Sequence, residues 1–330
     1  MGNREVYQQI TDRMISALEK GTVPWRKPWT AAGGGPPRSM STREPYRGIN
    51  VLLLGTEAME RGYGSPWWGT YHQIAQLSGM EPRQGRRGGR YWASPDGGPR
   101  GVRKGEHGCQ IVLWKTIPVT ETGPDSGDKA TREVLLARLF TVFNAEQADG
   151  LPQAFLPGAG PPVAELRRPQ QVLEHYLRYG GPALRHVPGD RACYSPARDV
   201  ITLPERAQFR TAEGYYGTAF HEAGHSTGHA TRLARESLTD FSHDRAWGDE
   251  LYAREELVAE MTSAMLLADT GIDGQFSQSA AYLAGWLTAL RTDPGLVPQA
   301  AAHAQRACDL ITQPQRQATG QPQPEPEAAA

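Results

Sequence analysis

Residues 218–229, TAFHEAGHSTGH, carry three histidines at intervals of four, His221, His225 and His229, with Glu222 directly after the first. On a helix, positions i and i+4 lie one turn apart on nearly the same face, so two imidazoles can aim at one point. Such nitrogens suit a tetrahedral Zn²⁺. Glu222 stands one position round, at the edge of that point rather than on it. There it can accept a proton from a water held at the site and later pass it to a leaving amine, which is why the HExxH pattern needs an acid in that slot. The pattern is short, and a histidine-rich helix that binds no metal is the competing reading.

A third ligand has to come from elsewhere in the chain. REELVAEM, residues 254–261, places Glu256 and Glu260 four apart on a second expected helix. If Glu256 binds the metal, Glu260 is positioned to accept the ring N–H of a ligating histidine and so fix its tautomer. Glu255 is a rival ligand, and all three acids could instead form a solvated helix face. Leu257, Met261, Ala264, Met265 and Ala268 line up as an apolar face, so this helix packs, with Glu256 at the border. A glutamate ligand followed four residues later by an acid resembles the layout of thermolysin-like zincins. That resemblance implies a strand ahead of the histidine helix whose free edge pairs with extended substrate, and DVITLP (199–204) is the expected strand. His229 follows His225 by four residues, where the metzincin third histidine follows by six, so it reads as a capping or packing residue. His243 and Tyr252 are weak candidates, with His229, for stabilising an oxyanion. A purely structural zinc would favour cysteines and four protein ligands. Three ligands plus an acid suit catalysis better.

The net charge of −1 hides an asymmetry: residues 1–150 hold 20 basic and 15 acidic side chains, the remainder 15 and 21. Six of the eight tryptophans also lie in the first 150 residues. RQGRRGGRYWASPDGGPRGVRK, residues 83–104, contains seven Lys/Arg, among them Arg86, Arg87, Arg90, Arg103 and Lys104, with Tyr91 and Trp92 interleaved. Basic side chains attract phosphates and exposed aromatics stack on unpaired bases. Trp25 and Trp29, flanking Arg26 and Lys27, repeat the theme, as does Trp67-Trp68. The bland alternative is that the tryptophans are core and the arginines merely solvated. No helix-turn-helix or zinc-finger pattern is present, so single strands are a better expected partner than duplex.

The chain reads as α+β in two domains. EVYQQITDRMISALEKG places Tyr7, Ile10, Met14, Ile15 and Leu18 on one helical face. INVLLLGTEAMERG and TYHQIAQLSG are further helices, after which CQIVLWKTIPV and EVLLARLFTVFN read as strands joined across TGPDSGDKAT. GLPQAFLPGAGPP marks a boundary, giving residues 1–150 as a DNA-binding domain, 151–162 as a linker and 163–311 as a metallopeptidase-like domain. In the latter, QQVLEHYLRYG is helical, RACYSPARDVITLPERAQF holds one or two short strands, and EGYYGTAFHEAGHSTGH, DELYAREELVAEMTSAMLLAD and QSAAYLAGWLTALRTD are helices. Residues 312–330 are Pro/Gln-rich and expected to be disordered. No apolar run reaches membrane-span length, no signal peptide is visible, and three unpaired cysteines suit a reducing cytoplasm.

YQQITDRMISALEKGTVPWRKPW, YRGINVLLL, WWGTYHQIAQLSG, VRKGEHGCQIVLW and FTVFNAEQADGLP resemble the N-terminal domain of ArdC-type antirestriction proteins. YSPARDVITLPERAQF, YYGTAFHEAGHSTGH and EELVAEM resemble the zincin-like domain that follows it in that family, and the likeness spans roughly residues 5 to 295. It implies an N-terminal single-stranded-DNA-binding domain, a C-terminal metal-binding peptidase-like domain, and protection of incoming mobile-element DNA from restriction. His221, Glu222 and His225 carry over directly, and Glu256 through EELVAE with a register open by one residue. The expected cofactor is Zn²⁺, with Mn²⁺ or another divalent ion as an alternative. The expected partners are single-stranded DNA and an unidentified protein substrate. The competing function is a non-catalytic coat for entering strands, with a structural or regulatory metal domain.

Overall fold

The computed structural model of the chain describes residues 2–20, 23, 35–85, 88–122, 129–157, 169–239, 250–272 and 280–312. The chain opens with α1 (Asn3–Glu19), which buries Val6, Ile10, Met14 and Leu18, while Tyr7 and Ile15 flank the stripe half-buried. A short strand β1 (Arg38–Ser39) precedes α2 (Ile49–Arg61), a helix buried along Val51–Thr56 and exposed over its last three residues, which stops where Gly62 turns left-handed at φ 71°. Strand β2 (Trp67–Gly69) leads into α3 (Tyr71–Leu77). Thr70 caps α3 by accepting from the Gln73 amide, and Gln73 answers by accepting from the Thr70 amide. A ribbon of β3 (Glu81–Gln84) and β4 (Arg90–Ala93) follows, then β5 (Gly101–Val102), and then the long hairpin of β6 (Cys109–Thr122) and β7 (Lys129–Asn144). The alternation of CQIVLW against FTVFN dictates the register, Cys109 opposite Val142. A mixed sheet runs in the order β1-β2-β7-β6, and β5 pairs with β8 (Ala148–Asp149).

The second half begins with α4 (Pro169–Arg178), then β9 (Ala183–Val187), β10 (Cys193–Ser195) and β11 (Val200–Pro204). Helix α5 (Ala212–Ser226) carries the histidines, the short α6 (Glu236–Thr239) follows, and α7 (Glu250–Thr270) carries the acids. Helices α8 (Ala280–Thr292) and α9 (Leu296–Thr312) complete the chain. The mixture is α+β, as expected from the sequence. Strand β11 is not an edge: it pairs in parallel with β9 and antiparallel with β10. The expectation of a free edge on residues 199–204 is therefore corrected, and among the described residues the outer strands of this sheet are β9 and β10. Both touch α5, β10 along its backbone and β9 through His186, which stacks on Tyr215.

The two halves share a core. One apolar cluster runs from Ile10 and Met14 of α1, through Val297 and Ala301 of α9, to Met261 of α7 and Phe220 of α5. Polar ties cross the same junction: Thr11 Oγ1 donates to the Pro294 carbonyl at 2.8 Å, and Arg47 pairs with Asp309 at 2.6 Å. Among the described residues no helix is long and apolar enough to cross a membrane.

Helices α5 and α7 meet backbone to backbone. A Cβ added at Gly224 would lie 3.1 Å from the Ala259 Cα and 3.2 Å from the Thr262 Cβ. The Ser263 hydroxyl donates across the crossing to the Gly217 carbonyl at 2.8 Å. The second unspecified position of HExxH is thus Gly for a steric reason. Gly224→Leu should prise the helices apart and lower stability by roughly 1–3 kcal/mol through overpacking. A urea midpoint equal to that of the parent would contradict this close crossing.

Candidate metal centre

Helix α5 starts where the Thr211 hydroxyl accepts from the Gly214 amide, and from there its 3.6-residue period carries His221 and His225 to one face. Their Nε2 atoms lie 3.1 Å apart. From α7 the Glu256 carboxylate meets both, 3.5 Å from His221 Nε2 and 3.4 Å from His225 Nε2. A tetrahedral ion with bonds of about 2.0–2.1 Å holds its ligand atoms about 3.3–3.4 Å apart. The Nε2–Nε2 distance and the two Nε2–carboxylate distances, each to a different oxygen of Glu256, are of that order, so His221, His225 and Glu256 would hold a divalent cation. Among the described residues this trio is the group whose ligand atoms converge closely enough to hold an ion.

The outer nitrogens are occupied as well. His225 Nδ1 lies 3.2 Å from Glu255 Oε1, and His221 Nδ1 lies 3.7 Å from Glu260 Oε1. The adjacent glutamates therefore stand on opposite sides of His225, Glu256 at its inner nitrogen and Glu255 at its outer one. Glu255 is in turn gripped by Arg235 and by the Ser237 hydroxyl. Both glutamates are buried, at 4% and 9% exposure, which rules out a solvated face. Glu222 is also buried, at 6%, and its charge bears on His221. Arg235 has no counterpart in the sequence reading, because a loop arginine ten residues past His225 carries no periodic signal.

Electrostatics follow from this packing. Burial alone lowers the His225 pKa, but the carboxylates of Glu255 and Glu256 more than offset it and push it up to about 10. His221 is raised for the same reasons, with burial opposing and Glu256 and Glu260 prevailing. Burial would raise both glutamates, yet Glu255 is held below the ordinary carboxylate range by Arg235 and His225, and Glu256 by the two imidazoles.

Other expected residues fare differently. Helix α5 ends at Ser226, so His229 is not on a third helical turn. The Ser226 and Thr227 hydroxyls turn back onto the Ala223 and Gly224 carbonyls and close the helix, and His229 Nδ1 accepts from the Thr231 amide. His243 and the Tyr252 side chain lie outside the described residues, as do Trp25, Arg26, Lys27, Trp29, Arg86 and Arg87. On the ribbon, Tyr91 is 51% exposed and sits opposite Arg83, and Arg90 is exposed. Trp92 is half-buried, its indole N–H donating to His72 Nδ1 at 2.7 Å. Lys104 is exposed, whereas Arg103 is engaged by Glu106 and Asp149. Trp67 and Trp68 are core, not a nucleic-acid surface. Trp67 packs edge-on against Phe155 and Trp68 against Tyr63, because β2 lies between two strands.

Comparison with known proteins agrees with this layout. Residues 4–143 match the family model for the N-terminal domain of anti-restriction factor ArdC, and residues 171–303 match a zincin-like metallopeptidase model. The metal-free crystal structure of the antirestriction ArdC protein from plasmid R388 is 36% identical, with a TM-score of 0.70 over 96% of this chain and 99% of that one. The chain belongs to the ArdC antirestriction family. The Mn(II)-bound structure of the same ArdC protein matches at 37% identity and a TM-score of 0.66, over 92% of this chain and 96% of that one. Among curated relatives, a DNA primase TraC of Escherichia coli is 37% identical over 92% of this chain, which spans only 27% of that primase's length. The uncharacterized protein y4eC of Sinorhizobium fredii (strain NBRC 101917 / NGR234) is 33% identical over 93% of this chain and 91% of its own.

Because a cation must displace protons from imidazoles of raised pKa, apparent metal affinity should keep rising with pH beyond the ordinary histidine value of 6.5 and towards about 10. Chelator competition across that range checks it. A plateau reached by pH 6.5 would contradict the coupling of His225 to the two carboxylates.

Proposed function

We propose that the chain is a cytoplasmic antirestriction protein that binds single-stranded DNA of incoming mobile elements and acts there as a zinc-dependent peptidase. The observation that carries this reading is the convergence of His221 and His225, Nε2 atoms 3.1 Å apart, on the Glu256 carboxylate, whose two oxygens lie 3.5 and 3.4 Å from them, with the buried Glu222 on the same helix. His221, His225 and Glu256 would hold the ion, and Glu255 and Glu260 orient the two rings through their outer nitrogens. A bound divalent cation would supply Lewis acidity at that point. Two imidazoles and a carboxylate suit Zn²⁺ and also accept Mn²⁺, the ion in the R388 relative. Glu222 takes the proton of the attacking water and hands it to the leaving amine. The outer strand β10 beside α5 suits an extended peptide added as a further strand.

For the DNA half, Tyr91 with Arg83 and Arg90 forms an exposed aromatic and basic surface on the β3–β4 ribbon, and Lys104 is a further exposed cation. Stacking on Tyr91 and phosphate contacts to the cations suit unpaired strands of any sequence. The protein substrate would be one met at that DNA.

Glu222→Gln separates peptidase from coat. It removes the base and retains the ligands, so metal and oligonucleotide binding should stay within about twofold of the parent. Peptide hydrolysis should fall by roughly 10²–10⁴-fold, and protection of a transferred plasmid against a restricting host should be lost with it. Full protection by the variant would instead support a coating protein whose metal domain is structural or regulatory.

A further inference from the structure

Glu255 and Glu256 are neighbours with the same chemistry, both buried and both within 3.4 Å of a His225 nitrogen. A cation beside them could draw in either carboxylate, or both. What distinguishes them is a guanidinium. Arg235, 4% exposed, donates from Nε to Glu255 Oε2 at 2.9 Å and from Nη2 to Glu255 Oε1 at 2.5 Å, a fork closing on both oxygens. Ser237 adds a third donor to Oε2.

The fork is itself fixed to the metal helix. Arg235 Nη1 donates to Thr227 Oγ1 at 2.7 Å, and Nη2 to the Gly224 carbonyl at 2.8 Å and the His225 carbonyl at 3.2 Å. These carbonyls belong to the last turn of α5, where the helix dipole favours a cation. The loop is shaped to admit it: a Cβ at Gly228 would come within 2.8 Å of the guanidinium carbon.

We propose that Arg235 is a positioning residue that decides which glutamate serves as ligand. By holding both oxygens of Glu255 it keeps that carboxylate on His225 Nδ1 and out of the ion's reach, leaving Glu256 to complete a three-ligand site with an open corner. This rests on the metal-centre reading given above. A purely structural Arg235 would stabilise the loop without influencing how the ion is coordinated.

Co²⁺ titration of the full chain, followed by visible absorption, tests it. Four-coordinate Co²⁺ absorbs strongly and higher coordination weakens the bands. Arg235→Lys keeps the buried charge but replaces the fork with a single point. Its Co²⁺ affinity should fall by about 10- to 100-fold, with weakened bands as the released Glu255 enters. Adding Glu255→Gln to that variant should restore band intensity, because an amide is a poor ligand yet its oxygen still accepts from His225 Nδ1. Parental affinity and bands in Arg235→Lys overturn the proposal, as does weakening that Glu255→Gln fails to reverse. Should Arg235→Lys not fold by circular dichroism, Arg235→Gln decides by the same readouts: lower Co²⁺ affinity with weakened bands supports the proposal, and parental affinity and bands overturn it. Absence of four-coordinate bands in the parent chain would instead overturn the metal-centre reading.

Discussion

The structure depends on two helices crossing without side chains between them. Gly224 of α5 lies against the Ala259 backbone of α7, and only at that separation can a glutamate from one helix reach histidines of the other. The other layers serve this contact. Helix α9 covers α7 from behind, α1 covers α8 and α9, and the sheet of β9, β11 and β10 supports α5 and α4. The first helix of the chain, separated by more than 200 residues from His221, thus belongs to the same core as the helix that presents Glu256.

Packing the half-buried His221 and His225 among the buried Glu222, Glu255, Glu256 and Arg235 is costly unless each charge is answered. Most are answered in pairs: Glu255 by Arg235 and His225, Glu260 at His221, and the Arg235 donors by carboxylate, hydroxyl and helix-end carbonyls. A hydrophobic cluster of the same shape would cost less and fold as well. The arrangement makes physical sense if the triangle of nitrogen and oxygen atoms receives a cation, since an ion is what the inner face of the site leaves to be supplied.

Much of this was legible beforehand, for identifiable reasons. The spacing of His221, Glu222 and His225 is dictated by chemistry and helical period together, so it shows in the letters. The hairpin of β6 and β7 shows through alternation. What stayed hidden depends on contacts between distant segments. Consecutive glutamates on a helix project about 100° apart, and which of Glu255 and Glu256 faces inward is decided by α5 and Arg235. The burial of Trp67 and Trp68 follows from β2 being an inner strand, not from their basic neighbourhood. Strand β9, ALRHV, was missed because Arg185 and His186 interrupt its apolar run, and with it the second partner that removes β11 from the sheet edge. The end of α5 at Ser226 turned on hydroxyls bonding backwards to carbonyls, a local competition that a histidine repeat conceals.

X-ray absorption at the metal edge of the full chain, loaded with one equivalent of Zn²⁺, goes directly to the centre of this account. The expected result is a low-coordinate shell at about 2.0–2.2 Å containing two imidazole nitrogens and a carboxylate oxygen, with the imidazole signal lost in a His221→Ala, His225→Ala variant and the shell depleted by one oxygen in Glu256→Gln. A shell without imidazoles would show that the two helices converge for some purpose other than holding an ion, and a two-imidazole shell unchanged by Glu256→Gln would show that Glu256 is not a ligand.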